Sequence, residues 1–440
     1  MSREFLPTTG AGPITCEPST RPDSVDAEAV VVFMAEGGVG NGSAAELDAA
    51  TGGLLGRLAA TGEITGRRYE CVPLLAAPGL RAGQLVVVGI GKREDVTAGV
   101  LYRAAATASR HLAAKPRSRV AFVADGAWTT KQVEQAVAGA AVGMVGQDLY
   151  RAEPKRNRFG TTIWISAPVE AVERGTVIAD GVNLARRLVN MAPDDIYPQS
   201  FADECATIAG RTGLDIEIWD EDRLVRERCN AILAVGRGSS RPPRLVILRY
   251  RGAGRTGQGR AAAEAVPQLA LVGKGVTFDS GGLSLKPSEG MLTMKCDMSG
   301  AAAVLSAAAT IAALKLPIDV VVGIGLVENM TGPAAYKLGD VITARNGTTI
   351  EIHNTDAEGR VVLADVLDVI RGEKPKRIVD LATLTGACVV ALGHGVAAGL
   401  VVREQAGDVL AESHDTGAGQ RGQIDNPPRL LAADHIEHVG

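Results

Sequence analysis

The sequence predicts an α/β protein with two domains, a smaller N-terminal α/β domain over residues 1–165 and a larger C-terminal domain over residues 166–440. The chain has 440 residues, which is more than one ordinary hydrophobic core accommodates. Apolar runs typical of strands alternate along it with amphipathic runs typical of helices. Near the predicted boundary, the polar run RAEPKRNRFG (151–160) indicates an exposed connection.

The N-terminal domain is predicted to contain a parallel or mixed sheet with helical crossovers. Its predicted strands are VVVFM (30–34), QLVVVGIG (84–91) and RVAFVAD (119–125). Its predicted helices cover 44–60, 101–114 and 131–146, where the sequence changes to an amphipathic pattern. This alternation is what parallel strands need, because helical crossovers connect them.

The C-terminal domain begins with a long helical pattern from residue 172 and then repeats the alternation more strongly. Its predicted strands are DIEIWD, RLVILRY, QLALVGKG, DVVVGIGLVE, TTIEIHN and RIVDLATL, and its predicted helices cover 297–315 and 357–372. Since these strands are almost entirely apolar, we expect a central, mostly parallel or mixed sheet covered by helices. In such sheets ligands bind beyond the carboxyl ends of the strands.

Composition excludes several classes of function. Lys plus Arg is 46 and Asp plus Glu is 50, so neither nucleic acid nor an anionic membrane is an expected partner. No apolar run reaches the roughly 18 residues that span a bilayer, and the N-terminus lacks the basic start and apolar core of a secretion signal. The six cysteines form no CxxC pair, which favours a reducing, cytoplasmic location over a disulfide framework.

Charged residues lie where the predicted strands end and the predicted helices begin. They are Lys274, Asp279, Lys286, Asp297 and, in the strand-to-helix turn NTDAEGR (354–360), Asp356 and Glu358. Four carboxylates in one pocket repel one another strongly without cations. Two divalent ions roughly 3.5–4 Å apart would remove that conflict, lower the pKa of a bridging water to about 7 and polarise a carbonyl group.

The chemistry of these ligands narrows the choice of metal. Carboxylate-rich sites suit manganese or magnesium, and zinc stays among the candidates because its affinity is high where it is available. A neutral lysine amine can add a nitrogen ligand, since a neighbouring cation disfavours the ammonium form.

Each of these residues also has an ordinary structural interpretation. Asp297 alone is equally well explained as a helix N-cap, and Lys286 alone as a solvated surface lysine. Asp356 and Glu358 alone would more often be acids of a turn and a first helical turn. Only the joint placement of the whole set favours a metal site.

Three further motifs are not assigned to the site. Ser280 lies in the protease-like tetrapeptide DSGG, but the α/β pattern and the lack of a disulfide-rich barrel argue against a nucleophile. GIGK (89–92) completes neither of the glycine-rich phosphate-binding motifs. His353 fits an inward or stacking role as well as a ligand role, and we leave it out of the metal set.

The heptapeptide NTDAEGR resembles the signature of the leucyl aminopeptidases, also called the cytosol aminopeptidase family. Further blocks resemble those of the family in the family's order, namely GKGVTFDSGGLSLKP, MKCDMSGAAAV, VENM, AYKLGDV and DLATLTGA. The resemblance covers most of residues 172–400, and the N-terminal domain resembles the family's N-terminal domain only loosely. It implies a metallo-aminopeptidase that hydrolyses peptides and prefers leucine-like N-terminal residues.

The resemblance also implies a role for each site residue. One metal ion would be bound by Lys274, Asp279, Asp297 and Glu358, and the other by Asp279, Asp356 and Glu358. Lys286 would stabilise the developing oxyanion, and Arg360 would hold a bicarbonate ion that acts as general base. The positions that match substrate-binding residues are Met294, Thr383, Leu384 and Gly386.

Family members continue beyond the position at which this chain ends, Gly440, with a glycine-rich block, a strand and a helix. We therefore expect a catalytic domain that is incomplete at its C-terminus, and a homo-hexamer only if the fold is complete. Two alternatives to an active enzyme stay open, an inactive truncated product and a non-enzymatic relative that binds a partner such as DNA. The filled metal positions and the net charge of −4 argue against DNA binding.

Overall fold

The computed structural model describes residues 13–18, 20–146, 148–253, 267–384, 400–404 and 409–412. The chain divides into two compact units, and segments of the two alternate along the sequence. Unit 1 comprises Met1–Met191, Thr207–Leu214 and Leu305–Leu316, and unit 2 comprises Ala192–Ala206, Asp215–Val304 and Pro317–Gly440. The two-domain α/β fold is confirmed, and the boundary at residue 165 stays a prediction.

Unit 1 contains a sheet of mostly parallel strands. The strands are β1 (Ile14–Glu17), β2 (Ala29–Met34), β3 (Cys71–Leu75), β4 (Gln84–Gly89), β5 (Arg117–Val123) and β6 (Phe159–Ile165). Their order is β1-β6-β5-β2-β4-β3, and β3 pairs antiparallel with β4. Every residue of β2 and β4 is buried, which is expected for strands covered on both faces.

The first five helices of the described chain belong to unit 1. They are α1 (Ser43–Ala50), α2 (Leu54–Ala60), α3 (Ala98–Leu112), α4 (Thr130–Gly143) and α5 (Val169–Asn190). The prediction of one helix over 44–60 is wrong, because two helices form there. Gly52 and Gly53 separate them with φ angles of 65° and 79°, a conformation that ends a right-handed helix.

The central sheet of unit 2 is mixed, as predicted. Its strands are β7 (Asp215–Trp219), β8 (Arg244–Arg251), β9 (Leu269–Asp279), β10 (Asp319–Asn329), β13 (Arg377–Leu381), β14 (Leu400–Glu404) and β15 (Val409–Glu412). Their order is β15-β14-β13-β9-β10-β8-β7, with β9 parallel to both β10 and β13 and the remaining pairs antiparallel.

The predicted strand TTIEIHN does not belong to this sheet. It contains β12 (Thr349–Glu351), which pairs only with β11 (Val341–Thr343) in a separate antiparallel hairpin of the described chain. The later helices are α6 (Pro198–Thr212), α7 (Glu221–Arg226), α8 (Asn230–Gly236), α9 (Ser288–Met291), α10 (Ser299–Ala313) and α11 (Glu358–Gly372).

Contrary to the expectation from the sequence, one helical run in the described part of the chain, Met294–Ala313, is long and apolar enough to cross a membrane by length and composition alone. Its mean hydropathy is 1.4, and 61% of the window is buried. Its first turns pack closely on β9, since a Cβ added to Gly273 would lie 2.7 Å from Ala301 Cα. The run therefore has the features of a core helix, and it is weak support for a membrane span.

Candidate metal centre

β9 supplies two of the predicted ligands, Lys274 and Asp279, to the same cluster of side chains. Residues five positions apart in a regular strand face opposite sides of the sheet. Here the pairing of β9 with β10 shifts between Val327 and Glu328, so that Thr277 is one extra residue in β9. This β-bulge turns Lys274 and Asp279 to one face, which is how bulges commonly re-aim side chains near functional sites.

Lys274 lies between two acids of the cluster, Asp297 and Glu358. Its Nζ is 2.8 Å from Asp297 Oδ2 and 2.8 Å from Glu358 Oε1, and it donates a hydrogen bond of 2.6 Å to the carbonyl of Thr383. The residue is only 2% exposed. Gly359 leaves room for it, because a Cβ there would lie 2.6 Å from Lys274 Nζ.

Lys286 lies in the same way between the other two acids of the cluster, Asp279 and Asp356. Its Nζ lies 2.9 Å from Asp279 Oδ2 and also contacts Asp356 Oδ1. Asp356 lies in a 3₁₀ turn at Thr355–Ala357, directly before α11, where its backbone N–H donates to Asn354 Oδ1. Each lysine is thus paired with two acids.

The donor atoms suit divalent metal ions. Oxygen atoms of Asp279, Asp356 and Glu358 lie within 4.8 Å of one another, and Asp279 and Glu358 are buried. Buried carboxylates this close need cations between them, and here two ammonium groups contribute that charge. A set of carboxylate oxygens with one lysine nitrogen fits manganese or magnesium in particular.

Burial and charge act in opposite directions on the pKa values of this cluster. Burial by itself lowers the pKa of Lys274, but the carboxylates of Asp297 and Glu358 outweigh it and raise that pKa. The pKa of Lys286 is raised in the same way, against burial, by Asp356 and Asp279. Burial raises the pKa of Asp297 despite the opposing charge of Lys274. Both lysines are therefore cations at neutral pH in the metal-free protein.

The structure brings together most of the residues predicted for the site. The cluster contains Lys274, Asp279, Lys286, Asp297, Asp356, Glu358 and Thr383. Thr383 was predicted to bind substrate. In the structure its Oγ1 donates a 2.8 Å hydrogen bond to Asp297 Oδ1, so it contacts a predicted metal ligand.

Among the other predicted residues, Met294 contacts the cluster through its backbone carbonyl, which accepts a 3.2 Å hydrogen bond from the N–H of Asp297. In the described part of the chain, the side chains of Leu384 and Arg360 make no hydrogen bond or ion pair with the cluster. Met294 is half-buried, Leu384 is exposed, and Arg360 is exposed in the first turn of α11. Gly386 lies outside the described residues. The roles assigned to these four residues, like those of the cluster itself, stay predictions.

Two residues that were not assigned to the site make their contacts outside the cluster, and His353 has neither the inward nor the stacking role that its position allowed. His353 points to Glu351, with 3.4 Å between Nε2 and Oε2, and its side chain is half exposed. Ser280 donates its hydroxyl proton to the carbonyl of Asn329 and is buried.

The sequence analysis missed three residues that hold the cluster in place. The buried Asn329 donates to both Asp279 and the carbonyl of Thr355, and Tyr336 donates to that same carbonyl over 2.7 Å. Thr355 in turn donates to the carbonyl of Gly281 over 2.6 Å. The blocks VENM and AYKLGDV contain Asn329 and Tyr336, but no spacing rule shows which polar residue of a block supports a ligand.

Comparison with known proteins identifies the family. The sequence profile described as "Cytosol aminopeptidase family, catalytic domain" matches residues 183–419, and the profile of the family's N-terminal domain matches residues 30–154. A probable cytosol aminopeptidase of Rhodopirellula baltica is 47% identical over 79% of this chain and 66% of its own length. The chain thus spans about two thirds of that relative.

Solved structures agree with this result. The bottromycin maturation enzyme BotP in complex with Mn is 34% identical with a TM-score of 0.71, over 84% of this chain and 75% of that one. A mutant of tomato leucine aminopeptidase is 26% identical with a TM-score of 0.75, over 87% of this chain and 76% of that one. The buried acid–lysine cluster lies within the region that matches the catalytic-domain profile. The chain belongs to the cytosol aminopeptidase family.

Proposed function

We propose that the protein is a metal-dependent aminopeptidase of the leucyl type, which releases N-terminal amino acids from peptides. The observation that carries the proposal is the convergence of Lys274, Asp279, Asp297, Asp356 and Glu358 within hydrogen-bonding reach of one another or of a shared lysine. These residues lie in the region that matches the catalytic-domain profile of an aminopeptidase family.

The five residues would hold two divalent ions. Manganese is supported by the oxygen-rich donor set and by the Mn complex of the structural neighbour BotP, and zinc and magnesium are its competitors. When bound, such a pair supplies Lewis-acid polarisation of the scissile carbonyl and an activated water. Because Lys274 must lose its proton to act as a ligand, metal binding should weaken as the pH falls.

Lys286 and Arg360 would each bind an anion during the reaction, Lys286 the oxyanion on the substrate and Arg360 a bicarbonate ion. The raised pKa of Lys286 keeps it cationic at neutral pH, so its ammonium can stabilise the oxyanion that develops on the substrate carbonyl. Arg360 is exposed, and no ion pair involves it in the part of the chain that the structure describes. Its guanidinium is therefore available to hold a bicarbonate ion, which would accept the proton of the attacking water.

Met294, Thr383, Leu384 and Gly386 would form the substrate pocket. Met294 and Leu384 offer apolar surface, which favours a leucine-like side chain over a charged one. Such pockets discriminate by only about 1–3 kcal/mol per methylene, so related apolar residues should also be released. We further propose a cytoplasmic homo-hexamer, as the family resemblance implies.

Hydrolysis of leucine p-nitroanilide tests the proposal. We expect activity with manganese, its loss in excess chelator and its return when manganese is added back. Asp356→Ala and Lys286→Ala should each abolish most activity. Glu351→Ala is the matched control, because Glu351 is an exposed acid near the same turn that makes its ion pair with His353 outside the cluster. Leucine release that persists in chelator would contradict the metal mechanism.

A second assay tests the proposed base. We expect added bicarbonate to increase the rate of the wild-type protein in carbonate-depleted buffer, because a held anion accepts the proton. Arg360→Ala should lose that response while it still binds manganese. A wild-type rate that is independent of bicarbonate would contradict this part of the proposal.

A further inference from the structure

Asn329, the last residue of β10, lies fully buried opposite Asp279 of β9. Its side-chain Nδ2 lies 2.9 Å from Asp279 Oδ1, 2.9 Å from the carbonyl oxygen of Thr355 and 3.4 Å from Glu358 Oε2. A primary amide has two protons to donate, so these three acceptors saturate it.

The surroundings fix which way the amide of Asn329 faces. Its Oδ1 is buried and has no hydrogen-bond partner among the residues that the structure describes. A flipped amide would place this oxygen against three other oxygens and remove one donor from each of them. The NH₂ group is therefore held toward the acids. The unpaired buried Oδ1 lowers the stability of the fold, and this loss comes with that orientation of the amide.

The two acids that Asn329 contacts share one arrangement. Asp279 Oδ1 accepts from Asn329 Nδ2 and from the backbone N–H of Gly281 over 2.8 Å, and its other oxygen, Oδ2, faces Lys286. Glu358 turns Oε2 toward Asn329 and Oε1 toward Lys274. Each acid thus gives one oxygen to the amide and keeps the other for a cation.

We propose that Asn329 is a positioning residue for Asp279 and Glu358, the two carboxylates that both metal ions would share. Because it binds one oxygen of each acid, Asp279 Oδ2 and Glu358 Oε1 are the oxygens that face the cations. This inference rests on the proposed function. An amide suits the task because it donates hydrogen bonds without a charge, whereas a further lysine would repel the incoming metal ions. Hydrogen-bond partners of metal ligands orient them and strengthen metal binding.

The backbone of Asn329 supports the same arrangement. Its carbonyl accepts hydrogen bonds from the N–H of Ser280 over 3.0 Å and from Ser280 Oγ over 2.8 Å. The segment that follows Asp279 is therefore fixed to the end of β10. The β-bulge at Thr277 makes this possible, because it sets Asp279 opposite Asn329.

Manganese titration by calorimetry tests the role of Asn329 without reference to activity. We expect Asn329→Ala to bind manganese about 10- to 100-fold more weakly than the wild-type protein. Asn183→Ala is the matched control, because Asn183 is an equally buried asparagine in α5 of unit 1. Tyr336→Phe removes only the donor to the Thr355 carbonyl and should change the affinity much less.

The outcomes separate this inference from the proposed function. Wild-type protein that binds no manganese would contradict the proposed function. Wild-type binding together with unchanged affinity in Asn329→Ala would overturn the role of Asn329 alone. If the alanine variant does not fold, Asn329→Gln keeps the amide but displaces it by one methylene, and the same comparison of affinities applies.

Discussion

Lys274 has three partners for its three N–H donors although it is almost fully buried: two carboxylates and the carbonyl of Thr383. An unpaired ammonium at this depth would be strongly destabilising, so the partners are a condition for placing a lysine here. The same partners raise its pKa. Lys274, which the sequence analysis treats as a metal ligand, is therefore also the counter-ion of Asp297 and Glu358.

Thr383→Val tests how one neutral hydrogen bond supports this cluster. The change removes the donor to Asp297 Oδ1 and keeps the backbone carbonyl that accepts from Lys274. We expect the free energy of unfolding to fall by about 1 kcal/mol in urea titrations without metal, since a buried acceptor loses its partner. Thr343→Val, at an exposed position of β11, is the control. Equal losses in both variants would contradict the expectation.

Glu217 gives a pH-dependent contribution to stability away from the candidate metal centre. Burial by itself raises its pKa, but the hydrogen bond from Trp219 and the charges of Arg249 and Arg223 outweigh it and lower that pKa. A carboxylate with a lowered pKa stabilises the folded state above the ordinary value of 4.5, and this contribution disappears as the pH falls through the lowered pKa.

Glu217→Gln should therefore reduce the free energy of unfolding by less than about 1 kcal/mol at pH 7, because solvent reaches the partly exposed ion pairs and screens them. The difference from the wild-type protein should narrow as the pH falls below 4.5. Urea titrations at several pH values measure it, with Glu221→Gln in α7 as an exposed control. A difference that grows toward low pH would show that the sign is wrong.

At the scale of elements, the site depends on how closely α10 approaches β9 and β13. A Cβ added to Gly300 would lie 1.9 Å from the carbonyl oxygen of Leu381 and 3.0 Å from the backbone nitrogen of Lys274. Only glycine permits this approach, because the nearest atoms belong to the backbone and cannot move aside. Asp297 lies just before this helix, so the position of α10 also sets the position of a predicted ligand.

Gly300→Ala should destabilise the protein by about 1–3 kcal/mol, the usual effect of overpacking, although alanine is the better helix former. Gly290→Ala in α9 is the matched control, since nothing lies within 4 Å of a Cβ there. Urea unfolding of both variants measures the difference. Comparable stability of the two would contradict the close approach.

Periodicity in the sequence located several central strands, including β2, β4, β9 and β10, because strands buried on both faces are almost purely apolar. It did not locate the edge strands β1 and β3, whose half-buried residues show no strong pattern. It also missed the interior strands β6 and β14, and β6 begins inside the run that was predicted as an exposed connection. Short β12 was assigned to the wrong sheet because a strand's partners depend on tertiary contacts.

The motif residues of the site were predictable because most lie at a strand end or near a helix start, although Lys274 lies in the middle of β9. The grouping of Lys274 and Asp279 on one face was not, because their spacing indicates opposite faces until the bulge in β9 is known. Asn329 was missed for the same reason. Its hydrogen bonds depend on the register between β9 and β10, and a single sequence does not contain that register.

At the scale of the whole molecule, each unit has its own sheet and its own buried core. All five predicted metal ligands belong to unit 2. A ligand that binds only the folded state stabilises it by about 2.7 kcal/mol at a concentration 100 times its dissociation constant. This stabilisation applies to the part of the protein that must unfold locally before the ligand can leave.

We therefore expect manganese to slow amide hydrogen exchange in β9, β10 and α11 and to leave β2 and β4 unchanged. Mass spectrometry of exchange with and without manganese measures this, and Asp356→Ala should abolish the effect. An equal increase of protection in both sheets would contradict the assignment of metal binding to unit 2 alone.

The two lysine ammonium groups set against four carboxylates have a consequence for how the protein matures. A newly synthesised chain carries its own temporary counter-charges, so it can reach its native shape in a cell that is short of transition metals. We expect the protein to fold there, with the proposed metal site ready to bind ions once their supply recovers.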